Sequence, residues 1–312
     1  MKKQPSETKA IVSPAALARF AAAALETSDL NRIAGEEAIS PELAGLRIYA
    51  PPPLIGVAAA ADPLFRELRR PEVAGRNFRL PEEWLPGAAS VISLFFPFTT
   101  RVVESNRRDP EWPSPEWLHA RIEGQRFNDA FSAGLAERLR SAGFAAVAPA
   151  LHPEFRVWRR GQAETGEGPD YASNWSERHV AYVAGLGTFG LSAALITRLG
   201  VAGRLASVVT RLELPPTPRP YRAYDEYCLY CGACARRCPC LAISREKRRK
   251  DRRICAAFLE LTKHKYRPRY GCGKCYVNVP CQSGNPAGDR SPGSGQAAPA
   301  PSGGPPLEGS PT

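Results

Sequence analysis

The first 227 residues contain no cysteine, and all nine cysteines of the chain lie between positions 228 and 281. A disulfide framework spread through the chain is therefore excluded. The odd count and the close C-x2-C spacings argue for thiols in a reducing compartment. Long apolar runs are also missing. The longest, near 88–98, is too short to span a bilayer and contains Pro97. After Lys2 and Lys3 the alanine-rich stretch is broken by Lys9, Pro14 and Arg19, which makes a poor secretory segment. These absences predict a soluble, cytoplasmic protein with no membrane partner. Acidic residues are outnumbered 31 to 42 by lysine and arginine, for a formal charge of +11, which favours an acidic partner such as nucleic acid or an acidic redox protein. No internal repeat is found beyond an incomplete doubling of the cysteine groups.

What is present begins with the cysteines. Cys228, Cys231, Cys234 and Cys238, followed by Pro239, reproduce the C-x2-C-x2-C-x3-C-P run of bacterial ferredoxins. Two-residue gaps let one tight loop wrap three thiolates round a cluster, while the fourth cysteine serves a second cluster and Pro239 stops a helix. Cys255, Cys272 and Cys275 supply the remaining ligands of that second cluster, and Cys281 completes the first. In a standard repeat the later C-x3-C-P would begin at Cys275, but Val279 and Pro280 precede Cys281. Cys240 is therefore its rival for the first cluster. Zinc on the C-x2-C pairs 231/234 and 272/275 leaves the rest of the run unexplained.

The 312 residues, 43% of them hydrophobic, can build one large domain or two ordinary ones. Residues 1–12 read as a flexible N-terminus. Ser13 and Pro14 open a helix. A strand follows in 46–50 or 54–60, then a short helix capped by Asp62, a turn at Leu85-Pro86-Gly87, and a buried strand from Val91. A polar loop leads to Ser114, which caps a long helix running toward Gly143. Its stripe of Trp117, Phe127, Phe131, Leu135 and Leu139 belongs to the core. A short strand near 144–149 comes next, then a helix-rich stretch from Asn174 to Gly200, and a strand over 204–214. Prolines 215, 216, 218 and 220 mark the boundary with the cysteine module. The expected organisation is an α/β body over 13–215, a ferredoxin-like module over 216–282 and a disordered tail over 283–312, the last rich in Pro, Gly, Ser and Ala.

Gly185, Gly187 and Gly190 spell G-x-G-x-x-G, but a dinucleotide fingerprint must follow a strand, and the residues before Gly185 suggest a helix. These glycines read as the end of one helix and a tight turn into the next. The basic run at 245–253, seven of nine residues, reads as a solvated helix or loop joining the cysteine groups or as a phosphate-contacting patch. No aromatic interleaves it, which speaks against base stacking. His179 reads as a helix side chain bonded near Glu177 or to a backbone carbonyl rather than a ligand. His119, His152 and His264 show no partner pattern.

Glu177-Arg178, then Ala184-Gly185-Leu186-Gly187, Gly190, a strand and a ferredoxin-type module occur in an order that resembles the epoxyqueuosine reductase family of iron–sulfur proteins, distantly related to reductive dehalogenases. The resemblance runs from about Trp84 to Cys281 and marks a divergent branch. It implies a nitroreductase-like α/β (α+β) N-terminal domain holding cobalamin against two 4Fe-4S clusters, with electrons passing from ferredoxin or flavodoxin to cobalt and on to an epoxide in tRNA. It also implies that Cys228, Cys231 and Cys234 belong to the first cluster, and Cys238, Cys255, Cys272 and Cys275 to the second. Glu177, Arg178, Gly185, Gly187 and Gly190 would adjoin the organic cofactor. The family's GLGWIGKN has Thr188 here for its tryptophan and Leu191 for its lysine. At the positions of its catalytic acid and following aromatic-His pair stand Arg126, Phe127 and Asn128, with Asp129 out of register. No side chain is therefore assigned a catalytic role. Three other readings stay open: an electron carrier without turnover, a reductase of another substrate without cobalamin, and a tRNA-binding module in which the basic run at 245–253 supplies phosphate contacts.

Overall fold

The computed structural model describes residues 13–158 and 172–288. The expectations for residues 1–12 and for the tail beyond 288 lie outside the described residues. Helix α1 (Pro14–Thr27) starts where Ser13 accepts a hydrogen bond from the Ala16 amide, with Pro14 in the first turn. It leads through short turns to strand β1 (Leu54–Ala59), the second of the two segments offered. Single helical turns α2 (Leu64–Glu67) and α3 (Pro81–Trp84) precede strand β2 (Ser90–Pro97), helix α4 (Thr100–Arg108), the long helix α5 (Pro115–Ser141) and the short strand β3 (Ala146–Val147). Helix α6 (Glu177–Val183), a hairpin of β4 (Gly187–Phe189) and β5 (Leu195–Thr197), and strand β6 (Gly203–Thr210) complete the sheet body. The cysteine region holds α7 (Ala233–Arg236), the hairpin β7 (Ile243–Ser244) and β8 (Arg249–Lys250), and helix α8 (Arg252–Tyr266).

The fold is a mixed α+β arrangement round a four-stranded antiparallel sheet in the order β1-β2-β6-β3. Strand β2 is covered on both faces, which is why it is a continuous apolar run rather than an alternating one. On one face Ile92, Leu94 and Phe96 join α1 and α5 in the main core. There Phe96 meets Phe127 and Phe131 edge-on, with centroids 5.3 and 5.1 Å apart. On the other, Val91 and Val209 face Trp175, whose ring stacks on Phe78 at 5.5 Å. Among the described residues no helix is long and apolar enough to cross a membrane.

Two local expectations are corrected. The segment 99–113, expected as loop, contains α4. Its inward face carries Ser105 and Asn106 as well as Val102 and Val103, so apolar periodicity alone misses it. The stretch after Gly185, expected to continue helical, is the β4–β5 hairpin. Gly185 (φ +81°) closes α6 with the paired bonds of a Schellman motif, Gly185 N–H to Tyr182 O and Leu186 N–H to Ala181 O. Gly187 then pairs with Thr197, where any Cβ would lie 1.9 Å from the Ile196 carbonyl oxygen. A helix followed by a strand is the reverse of a dinucleotide-binding turn.

Candidate metal centre

The loop from Cys228 to Cys238 winds tightly because two residues adopt left-handed backbone, Tyr230 (φ +48°) and Gly232 (φ +74°), the latter opening α7. Cys238 follows α7, Cys255 stands on α8, and Cys272 and Cys275 flank Gly273 and Lys274. Cys281 follows Pro280, and its carbonyl accepts from Val201 N–H at 2.9 Å, which pins it beside the β5–β6 link.

These positions bring the thiols together. Cys281 stands among Cys228, Cys231 and Cys275, and Cys234 among Cys275, Cys281, Cys228 and Cys231. Cys272 neighbours Cys275, Cys255 and Cys238, and Cys275 neighbours Cys255 and Cys238. Cys275 also faces Cys234 and Cys281, so the two quartets adjoin each other there. Cys240 lies with the second quartet, its Sγ 3.7 Å from that of Cys238. Among the described residues no three His, Cys, Asp or Glu side chains are grouped tightly enough to hold a single metal ion.

A recess of about 380 Å3, counting its open mouth, lies between the thiols of the first quartet, closed by Leu191, Tyr230 and Pro280. Backbone amides point at sulfur in both quartets, Leu191 N–H at Cys228 Sγ (3.4 Å) and Ala242 N–H at Cys238 Sγ (3.3 Å). Burial pushes the thiols of Cys234, Cys272 and Cys281 up to about 12, and raises that of Cys275 as well. Left as free thiols they keep their protons, and only a bound cation would offset the cost of their thiolate charge. Lys250 of β8 answers that charge: burial works against its own, but Cys275 and Cys255 beside it raise its pKa.

The second quartet is anchored to the sheet body through side chains that the sequence reading missed. Lys274, fully buried, donates to the Asn106 carbonyl (2.9 Å), Asn106 Oδ1 (3.2 Å) and the Asp109 carbonyl (2.8 Å) at the end of α4. Asn106 Nδ2 returns a bond to the Cys272 carbonyl at 3.0 Å. Nearby, Arg269 grips Glu123 of α5 (2.6 Å) and the Glu37 carbonyl (2.7 Å), while His119 joins Glu123 at 3.2 Å. The i,i+4 spacing of His119 and Glu123 on one helix was the signal available for that pair.

The residues expected beside an organic cofactor are spread over several places. Gly190 lines the recess with Leu191. Gly185 meets the Pro218 carbonyl, and Gly187 crosses the hairpin. Arg178 is exposed and donates to the Ala193 carbonyl at 2.6 Å. Glu177 turns inward toward β6, with Oε2 buried and unpaired. Burial raises its pKa to about 7, Asp129 adds to the rise, and Ser207 and Trp175 offset part of it. His179 shares a hydrogen bond with Ser176 Oγ (2.8 Å) and packs on Phe189; burial and then Arg178 lower its pKa to about 3, so it stays neutral. The two departures from the family glycine motif serve this shell: Thr188 Oγ1 accepts from Tyr227 N–H at 2.9 Å, and Leu191 is buried among the cysteines.

No family model matches this chain. Tetrachloroethene reductive dehalogenases of Desulfitobacterium hafniense and Dehalobacter restrictus are 46% identical to it over 70 residues, 22% of this chain. The chain spans only 12% of the length of these curated relatives. Among solved structures, the epoxyqueuosine reductase of Streptococcus thermophilus is 18% identical, with 73% of this chain and 62% of that one covered and a TM-score of 0.40. This chain is similar to epoxyqueuosine reductases. A second such structure, holding an epoxyqueuosine-modified tRNA-Tyr stem loop, is 19% identical over 74% of this chain and 62% of that one, with a TM-score of 0.43. A catabolic reductive dehalogenase is 19% identical over 61% of this chain and 23% of its own, with a TM-score of 0.38.

Proposed function

We propose that this chain is an iron–sulfur oxidoreductase with two 4Fe-4S clusters, one on Cys228, Cys231, Cys234 and Cys281, the other on Cys238, Cys255, Cys272 and Cys275. The observation that supports this reading is the closeness of cysteines up to 53 positions apart in the chain, with backbone amides aimed at the sulfurs of Cys228 and Cys238. The donor set fits: each quartet offers four thiols, and those of the first line one recess. A bound cluster of this kind accepts and releases single electrons. The chain's own part is placement and charge. Lys250 faces the second quartet, Leu191 and Tyr230 shield the first, and Glu177 holds a proton near neutrality beside β6.

The local identity to reductive dehalogenases, together with the order of Glu177-Arg178, the glycine turn and the cysteine run, supports reductive chemistry on a bound substrate. Cobalamin belongs to this proposal as the organic cofactor to test. A corrin macrocycle needs more room than the recess at the first quartet offers, so no residue there is assigned to it. Modified tRNA is the first substrate to try, and Lys247, Arg248 and Arg249, exposed at the tip of the β7–β8 hairpin, supply charge for phosphate contacts. A ferredoxin or flavodoxin is the electron donor in this scheme, and the cytoplasm its compartment.

The second reading is an electron carrier without turnover. It draws on Arg126 and Asn128, which replace the family's acid and histidine and are both used structurally, Arg126 pairing with Glu37 and Asn128 donating to the Leu205 carbonyl.

Anaerobic purification with iron, sulfide and cobalt analysis tests the assignment. About eight iron atoms are expected, falling to about four in Cys234→Ser or Cys272→Ser. Iron content unchanged by both substitutions would overturn it. Cobalt retained after reconstitution, and tRNA binding that weakens steeply with salt, favour the reductase. Iron without cobalt or turnover favours the carrier.

A further inference from the structure

Eight cysteines fill two quartets, and the ninth, Cys240, is not idle in the geometry. The chain passes from Cys238 through Pro239 to Cys240 and then through Leu241, which holds left-handed backbone (φ +55°) although it is no glycine, with its side chain 80% exposed. Such backbone in a leucine costs of order 1 kcal/mol or more and persists only where the surroundings over-determine it. Here it accompanies two sulfurs two residues apart on the same side of the chain, 3.7 Å from each other. An extended chain would also keep them on one side, but with their Cα atoms roughly 6.6 Å apart. Both sulfurs also share a donor: the Ala242 amide lies 3.3 Å from Cys238 Sγ and serves Cys240 as well. Cys255, a member of the same quartet, also lies near Cys240.

We infer that Cys240 is a reserve ligand of the second cluster, placed to take over the iron that Cys238 holds. The inference rests on the reading of the second quartet as a cluster site. The exchange is a ligand substitution without change of oxidation state. The Cys240 thiol gives up its proton as its sulfur bonds to iron, the iron–sulfur bond to Cys238 breaks, and Cys238 takes up a proton. The second cluster thereby survives loss or chemical blocking of Cys238.

The test uses the full chain, purified without oxygen, with iron and sulfide counted and the reduced protein examined by electron paramagnetic resonance. Wild type and Cys240→Ala are expected to carry about eight iron atoms. Cys238→Ala should also keep about eight, with an altered resonance of one cluster, and Cys238→Ala/Cys240→Ala should fall to about four. Cys238→Ala falling to about four by itself would overturn the inference while leaving the two clusters standing. Cys272→Ala keeping about eight iron atoms would remove the second-cluster reading and the inference with it. Should Cys238→Ala not accumulate, the loss of iron in air decides: a several-fold faster loss from Cys240→Ala than from wild type supports the reserve ligand, and equal loss overturns it.

Discussion

Glu177 and Lys274 carry charge or protons into the interior, and each can be checked singly. Glu177 has a raised pKa, so the folded chain binds its proton more tightly than the unfolded one does. Stability is then unpenalised below about pH 4.5 and declines as pH rises toward 7, by on the order of 3 kcal/mol in all. Glu177→Gln should abolish that decline, read as melting temperature against pH from 4.5 to 8 under anaerobic conditions. Parallel profiles for the two proteins would show that the carboxyl is already ionised in the fold. Lys274→Met removes three donors from the end of α4. A cost of about 2–4 kcal/mol is expected, with impaired iron retention by the second quartet, since the Cys272 loop loses its tie to Asn106. Glu177 was singled out only through the family resemblance, as a neighbour of an organic cofactor, and Lys274 was not singled out at all. A lone lysine between two ligand cysteines reads as solvated, and only the fold shows that α4 ends against it.

Among the elements, those with a clear period were legible and those with a polar inner face were not. Helix α5 and strand β2 follow from their apolar patterns, and Ser13 and Ser114 mark helix starts through the caps they form. Helix α4 escaped because Asn106 faces inward to bind Ser114, Cys272 and Lys274, contacts that no local pattern announces. The β4–β5 hairpin escaped because its alanines and leucines favour helix, while cross-strand pairing at Gly187 decides otherwise. The loop of Cys272 to Cys275 is held by shape as well as by ligands. Gly273 has φ +66°, and a Cβ on it would sit 2.0 Å from the Trp117 ring. Gly273→Ala should therefore cost about 3 kcal/mol or more and release iron from the second quartet, measured by thermal melting and metal analysis. A variant with unchanged melting and iron would show that Trp117 yields to the extra methyl.

For the whole molecule, the question is how the cysteine region is joined to the sheet. Arg269, Glu123 and His119 form a buried junction between them, in which burial opposes the Glu123 charge but the hydrogen bonds from His119 and Arg269 win and lower its pKa. Arg269→Met leaves that carboxylate with His119 as its remaining side-chain partner and should cost about 3 kcal/mol, whereas Arg269→Met/Glu123→Gln should recover part of the loss in a double-mutant cycle of melting temperatures. A purely additive cycle would mean that the junction contributes nothing as a pair.

The expectation of thiol ligands, and of a C-x2-C-x2-C-x3-C run shared between two clusters, comes from the sequence alone, because the spacing of thiols within one tight loop limits which can face the same metal group. Core strands and the long helix follow for a similar reason, since burial is written into short periods. The anchoring of Cys281 against Val201, the closeness of Cys240 to Cys238 and the buried surroundings of Lys274 and Glu177 were decided only by the tertiary structure. Apart from the Cys240 contact, each depends on segments far apart in the chain, Val201 against Cys281, α4 against the Cys272 loop and Asp129 against α6, brought together by packing over the sheet rather than by any local preference.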